Sequence, residues 1–73
     1  MSTQIQTDDR FLRMPEVKML TALSKAHIYL LISKGEFPKQ HKLGKRAAAW
    51  LFSDIQEWME SRISTSREEE VLQ

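Results

Sequence analysis

The residues that could carry chemistry in this 73-residue chain are few and scattered. Two histidines, His27 and His41, and no cysteine offer too few ligands for a closed zinc site. Ser24, Ser33 and Ser53 stand where helix caps or surface positions explain them, and no histidine stands beside an acid in a catalytic pattern. A single small domain also offers little room for a substrate pocket. We therefore expect no enzyme, no metal and no cofactor.

Basic residues are concentrated in the middle of the chain. The net charge is only +1, yet residues 10–46 carry nine lysines and arginines against two acids. Residues 47–73 carry six acids against two arginines. A surface can be solvated by charges of either sign, so a segment of one sign favours a polyanionic partner such as nucleic acid over a merely solvated lysine-rich face.

A short helix and a tight turn are predicted near the start of this basic segment. Residues 10–13 form a short extended candidate before it. Pro15 suits the first turn of a helix that ends near Thr21, with Val17 and Leu20 on its buried face. The turn is expected at residues 23–25, where Ser24 can cap the next helix through its hydroxyl group.

The second helix is predicted from this cap to Lys34, because Gly35 can adopt the left-handed backbone that ends a helix. Ile28, Leu31 and Ile32 recur at helical spacing and form its buried stripe. The opposite face is expected to hold Ala26, His27, Leu30, Ser33 and Lys34, with Tyr29 at its edge.

A hairpin follows the second helix, since helical periodicity is lost and Gly44 with Lys45 indicates a turn. Its arms are predicted at residues 40–43 and 48–51, with Trp50 as the anchor to the core. Because the tip carries Lys42, Lys45 and Arg46, the hairpin is a basic projection. Two short helices followed by such a hairpin predict a mainly α-helical protein with a small β-hairpin wing, a winged helix-turn-helix with three helices.

The third helix should begin at Ser53, which forms a capping box with Gln56 three residues later. Its core-facing residues are Ile55, Trp58, Met59 and Ile63. We expect a flexible arm at 1–9, the DNA-binding domain at 10–64 and a polar acidic tail at 65–73, which either frays or extends the helix. The polar start does not resemble a secretory signal and no apolar run approaches a membrane span, so we expect a cytoplasmic, nucleoid-associated protein.

In this fold the N-terminal residues of the second helix can reach base edges in the major groove. The candidate recognition-helix residues are Ser24, Lys25, Ala26, His27, Tyr29 and Lys34. The candidate wing residues are Lys39, His41, Lys42, Lys45 and Arg46. The first turn of the helix, Lys25 to His27, is expected to read bases. The residues expected to contact phosphates are Lys34, Lys39, Lys42, Lys45 and Arg46. His27 is alternatively only solvated, and Tyr29 only a lid on the core.

These residues resemble the AlpA family of prophage regulatory proteins. The likeness covers residues 10–63 and rests on the ordered set that includes the 10–17 run RFLRMPEV, Leu23-Ser24, Ile28-Tyr29, Leu31-Ile32, Gly35, Phe37-Pro38, Lys42-Leu43-Gly44, Trp50 and Trp58. The resemblance implies a winged helix akin to those of MerR proteins and phage excisionases. It further implies double-stranded DNA as partner and a role in regulating integrase genes or in promoting excision. Leu30 departs from the arginine of many members, and Ala26 and His27 replace small polar residues, which predicts a distinct target site.

Several features are left open by the sequence. A domain this small is expected to bind weakly as a monomer and to gain affinity through cooperative self-association on repeated sites. An integrase or RNA polymerase is the candidate protein partner. The competing interpretation is a protein-interaction adaptor or anti-repressor that does not bind DNA, in which Leu30 and the acidic tail contact another protein.

Overall fold

The computed structural model describes residues 9–72, and their side chains as far as residue 68. The elements are β1 (Phe11–Leu12), α1 (Met14–Thr21), α2 (Lys25–Ser33), β2 (His41–Gly44), β3 (Ala47–Leu51) and α3 (Phe52–Leu72). The strands pair antiparallel in the order β1-β3-β2, so the segment before α1 extends the hairpin. This part of the chain confirms the predicted winged helix-turn-helix. Residues 1–8 of the predicted arm and residue 73 of the predicted tail lie outside the described residues.

The turn between α1 and α2 lies at residues 22–24, one residue earlier than predicted. Ala22 has left-handed backbone, with φ 62°, and its N–H donates to the Lys18 carbonyl at 2.9 Å. Ser24 then caps α2 as predicted, because its hydroxyl accepts from the His27 N–H at 3.1 Å. The cap leaves the first turn of α2 directed outward.

The end of α2 is set by Gly35, as the sequence predicts. Gly35 has φ 74° and donates its N–H to the Ile32 carbonyl at 3.0 Å. The next N–H, from Glu36, donates to the Leu31 carbonyl at 2.9 Å. These two bonds form a Schellman motif, which satisfies carbonyls at the helix end and redirects the chain toward the hairpin.

The core lies where the helices meet the sheet. Val17 is fully buried as predicted, but Leu20 is 41% exposed and its predicted burial is wrong. The buried side of α1 runs through Met14, Val17 and Thr21, which leaves Leu20 at its edge. The buried cluster consists of Leu12, Val17, Ile28, Phe37, Trp50 and Ile55. Leu31, Ile32 and Trp58 pack against this cluster as partly buried side chains.

The N-terminus of α3 is capped by a residue far away in the sequence. The Asp9 carboxylate accepts from the Ser53 hydroxyl at 2.7 Å and from the Ser53 N–H at 3.0 Å. The predicted capping box of Ser53 and Gln56 is wrong, because α3 begins at Phe52 and Ser53 therefore lies inside its first turn rather than at the N-cap. These hydrogen bonds lower the pKa of Asp9, and the bond from the Ser53 hydroxyl has the largest effect.

α3 continues well past the predicted domain end and remains helical to Leu72, which resolves the choice between a frayed and a helical tail as far as that residue. Its side chains are exposed from Glu60 to Glu68, so the prediction that Ile63 faces the core is wrong and this half of the helix projects from the domain. No helix in the described part of the chain combines the length and the apolar character that crossing a membrane requires.

Candidate nucleic-acid interface

The outward face of α2 carries the residues predicted to read bases. Lys25, Ala26 and His27 form its first turn, and all three are exposed. Tyr29 is 44% exposed and Leu30 is 51% exposed, so the face continues along the helix beside the buried Ile28 stripe. Lys34 is exposed at the other end of the helix. The helix thus presents a narrow polar surface with an open N-terminal turn, a shape that fits a major groove.

The wing is held against the core by Trp50. This side chain is 2% exposed, and its indole N–H donates to the Pro38 carbonyl at 2.8 Å. Its ring also packs edge-on against Phe37, with 6.4 Å between centroids. The hairpin is therefore joined to the loop that leaves α2, and its predicted anchor is confirmed.

A cleft lies between α2 and the wing. Its volume is about 400 Å³, and its lining includes Tyr29 from α2 and Arg46 and Ala48 from the wing. Arg13, just before α1, lines the same cleft. Sequence reasoning missed Arg13 because it precedes the predicted helices, although its charge was counted in the basic segment. Tyr29 and two guanidinium groups therefore border one concave surface.

The two faces of the wing have different surroundings. Cα pairing sets Lys42 opposite Ala48, and directly opposed residues point to the same side of a sheet, so Lys42 shares the face that borders the Tyr29 cleft. His41 is paired with Ala49 and lies on the other face. There its imidazole Nε2 is 3.7 Å from the Asp54 carboxylate of α3.

Lys39 and His41 border a second groove, which runs along α3 and has a volume of about 800 Å³. The structure thus separates these two predicted wing residues from the cleft beside Tyr29. The loop above this groove is tied to α3 because the Trp58 indole donates to the Glu36 carbonyl at 2.8 Å. Trp58 and Phe37 also pack edge-on, with 4.7 Å between ring centroids, and both side chains line this groove.

The positive charge available to a ligand is smaller than the sequence count suggests. Arg10 donates to Glu16 at 2.9 Å and lies 5.4 Å from the Phe52 ring. This hydrogen bond, with a second from the Arg13 N–H, lowers the pKa of Glu16. By contrast, no ion pair within residues 9–68 involves Lys25, Lys34, Lys42, Lys45 or Arg46. Five cations without an ion pair in this part of the chain therefore lie on the wing or at the two ends of α2.

Comparison with known proteins agrees with this architecture. Residues 10–63 match the family described as Prophage CP4-57 regulatory protein (AlpA). The chain is 53% identical over 58 residues to Uncharacterized protein ORF88 of Enterobacteria phage P4, a match that covers 80% of this chain and 66%, just under two thirds, of that protein. It is 32% identical over 59 residues to the DNA-binding transcriptional activator AlpA of Escherichia coli (strain K12), covering 73% of this chain and 84% of that relative. No solved structure matches the chain. Since the family match includes both helices of the helix-turn-helix, the wing and the start of α3, the chain belongs to the AlpA family of prophage regulatory proteins.

Proposed function

We propose that the protein is a regulator that binds a specific site in double-stranded DNA. The recognition helix α2 enters the major groove, and the wing lies against the neighbouring minor groove or backbone. The observation that carries this proposal is the cleft between them, which Tyr29 and Arg46 both line, beside cations of α2 and the wing that form no ion pair within residues 9–68. The likeness to a DNA-binding transcriptional activator supports it.

Base reading is assigned to the first turn of α2. Lys25 donates to guanine O6 or N7, the methyl group of Ala26 contacts a thymine methyl group, and His27 donates to or accepts from a base edge. Ser24 is exposed but its hydroxyl already caps the helix, so it contributes by fixing the direction of this turn. Tyr29 donates its hydroxyl to a phosphate from the wall of the cleft.

Phosphate contacts are assigned to the basic residues around this turn, which set the position of the protein on the duplex without specifying sequence. Arg13 joins the predicted set because it borders the cleft. Lys39 and His41 reach only a phosphate farther along the strand, since they lie on the α3 side of the wing. The predicted phosphate contacts are Arg13, Lys34, Lys39, His41, Lys42, Lys45 and Arg46.

The binding test starts from a random duplex pool from which the protein selects its site. We expect Lys25→Ala and His27→Ala to relax the selected sequence. Lys45→Ala and Arg46→Ala should instead weaken binding to every duplex and reduce the slope of log K against log salt by about 0.9 each, because each removes one phosphate contact. Arg67→Ala is the matched control, since Arg67 is an exposed arginine on α3 that borders neither the cleft nor the groove beside the wing. Selection of no duplex even at low salt would reject the proposal.

DNA binding serves either transcription or recombination in this proposal. As a transcription factor the protein recruits RNA polymerase to an integrase gene, and as a recombination directionality factor it organises DNA for an integrase during excision. A reporter carrying the selected site and an excision assay with the integrase separate the two uses. Stimulation of excision without integrase-gene activation assigns the excision role, and the reverse result assigns the regulatory one. No catalytic step by this chain is proposed, and both uses place it in the cytoplasm with the nucleoid.

A second candidate is a protein-interaction adaptor, and exposed apolar side chains favour it. Met19 on α1 is 84% exposed, and Leu30 on α2 is 51% exposed. If the protein selects no duplex but Leu30→Ala and Met19→Ala abolish co-purification with the integrase or polymerase, the adaptor function replaces DNA binding. Sedimentation with and without the selected duplex tests self-association, which we expect only on DNA that carries repeated sites.

A further inference from the structure

The wing contains an irregularity in strand pairing beside its turn. Lys42 pairs with Ala48 and Gly44 pairs with Ala47, so β2 advances two residues while β3 advances one. Leu43 is the extra residue and has no Cα partner on β3. Such a bulge locally increases twist and redirects a side chain, and bulges are enriched at functional positions.

The environment of Leu43 does not explain it as a core residue. Its side chain is 47% exposed, and it is not among the described apolar residues that pack against the buried cluster. Its neighbours in the wing are Lys42 on one side and, after Gly44, Lys45 and Arg46 on the other. An unsupported leucine therefore lies between three exposed cations at the end of a projection.

Pairing between copies along the β2 edge is disfavoured by the same residues. β2 is an edge strand, because the sheet order is β1-β3-β2, and all four of its residues are exposed. Edge lysines and bulges are features that prevent strand addition, and both occur here at Lys42 and Leu43. The surrounding cations instead suit a polyanion, and an apolar side chain among them suits the apolar base stack of a duplex.

We propose that Leu43 is an apolar wedge that enters the minor groove and partly unstacks one base step, thereby bending the DNA. This inference rests on the proposed function, and it assigns the wing to the minor groove rather than to the backbone alone. Apolar wedges flanked by basic residues kink duplexes by about 20–90° toward the major groove. Because pyrimidine–purine steps unstack most easily, Leu43 selects sequence at a position where the wing makes no base hydrogen bond.

The experiment uses the full chain and the duplex selected from the random pool. The step beneath the wing is located by hydroxyl-radical footprinting and is then changed to TA or AA in otherwise identical duplexes. Bending is measured by energy transfer between labelled ends, and unstacking by the fluorescence of 2-aminopurine placed at that step. The variants are wild type, Leu43→Ala and Ile63→Ala, and the last is a matched control because Ile63 is 51% exposed on α3.

Wild type and Ile63→Ala should bend the TA duplex, raise the 2-aminopurine signal and prefer TA over AA by about tenfold in Kd. Leu43→Ala should keep the thermal midpoint of the free protein, lose the bend and the fluorescence rise, and bind TA and AA duplexes equally. An unchanged bend with Leu43→Ala would overturn the wedge. The wedge would also be overturned if, without DNA, wild type sedimented as a dimer and Leu43→Ala as a monomer, because Leu43 would then bind a second copy of the chain. If wild type selects no duplex, the proposed function itself fails, which is a distinct result from binding without a Leu43 effect.

Discussion

Replacing Trp50 with phenylalanine tests how the wing is held to the domain. Trp50 is 2% exposed, and the substitution removes the indole donor that the Pro38 carbonyl accepts at 2.8 Å. This hydrogen bond is partly buried, and an acceptor that loses its partner there costs about 1–3 kcal/mol, while the smaller ring leaves a cavity that costs about 1 kcal/mol more. We therefore expect a loss of about 2–4 kcal/mol in the free energy of unfolding.

This loss is a large fraction of the total. At about 0.05–0.15 kcal/mol per residue, a chain of 73 residues has about 4–11 kcal/mol of stability. Trp58→Phe is the matched control, because the same atoms are removed and the Trp58 indole also donates at 2.8 Å, to the Glu36 carbonyl. Trp58 is only partly buried, so water replaces the lost donor and the expected loss is about 1 kcal/mol.

Urea unfolding followed by far-ultraviolet circular dichroism measures both losses. The two variants should differ by more than about 1 kcal/mol, with equal slopes against urea concentration. If they lose the same free energy, or if Trp50→Phe loses less than Trp58→Phe, burial of the indole bond is not what holds the wing. A lower urea slope for Trp50→Phe would show instead that the wing detaches before the helices unfold.

Three further predictions concern backbone conformation and capping; urea unfolding tests the first two, and the thermal midpoint as a function of pH tests the third. Ala22→Gly should raise stability by about 1 kcal/mol, because Ala22 has φ 62°, a conformation that costs a non-glycine residue about 1–2 kcal/mol; a loss of stability would contradict this. Gly35→Ala should lower stability by about 1 kcal/mol, since φ is 74° and no neighbouring atom lies within 4 Å of the added Cβ, so only backbone strain acts; no change would contradict it. The pKa values of Asp9 and Glu16 are lowered in the folded protein. The stability that each ionised carboxylate contributes is therefore fully present above its ordinary pKa, and it is lost as pH falls through its lower pKa in the folded protein. Asp9→Asn should therefore flatten the fall of the thermal midpoint below about pH 4, and an unchanged pH profile would refute the cap at Ser53.

Local features of the fold were predictable from the sequence because each depends on residues close together in the chain. The cap at Ser24 needs only the next turn, and the stop at Gly35 needs only the preceding one. The anchor at Trp50 was predictable because a marginal hairpin must lean on a core and Trp50 is its largest apolar side chain. Periodicity was less reliable on α1, where eight residues give too few repeats to locate the buried stripe.

The features that escaped prediction depend on contacts between distant parts of the chain. The cap of α3 pairs Asp9 with Ser53, 44 residues apart, while a local capping pattern at Ser53 suggested a different solution. The separation of His41 from the cleft depends on strand register, since a shift of one residue moves every side chain to the other face. Arg13 reaches the cleft only because β1 joins the sheet beside β3.

The residues proposed to contact DNA and the residues that stabilise the fold are largely different residues. Stability depends on the buried cluster, on the Asp9 cap and on the indole bonds, whereas the side chains of Lys25, His27, Lys45 and Arg46 make no hydrogen bond within residues 9–68. Because these four side chains are exposed and unpaired, replacing them removes an interaction with a ligand without leaving a buried group unsatisfied. A binding defect in such a variant therefore reports on the interface itself, and a variant that both unfolds and fails to bind does not bear on it.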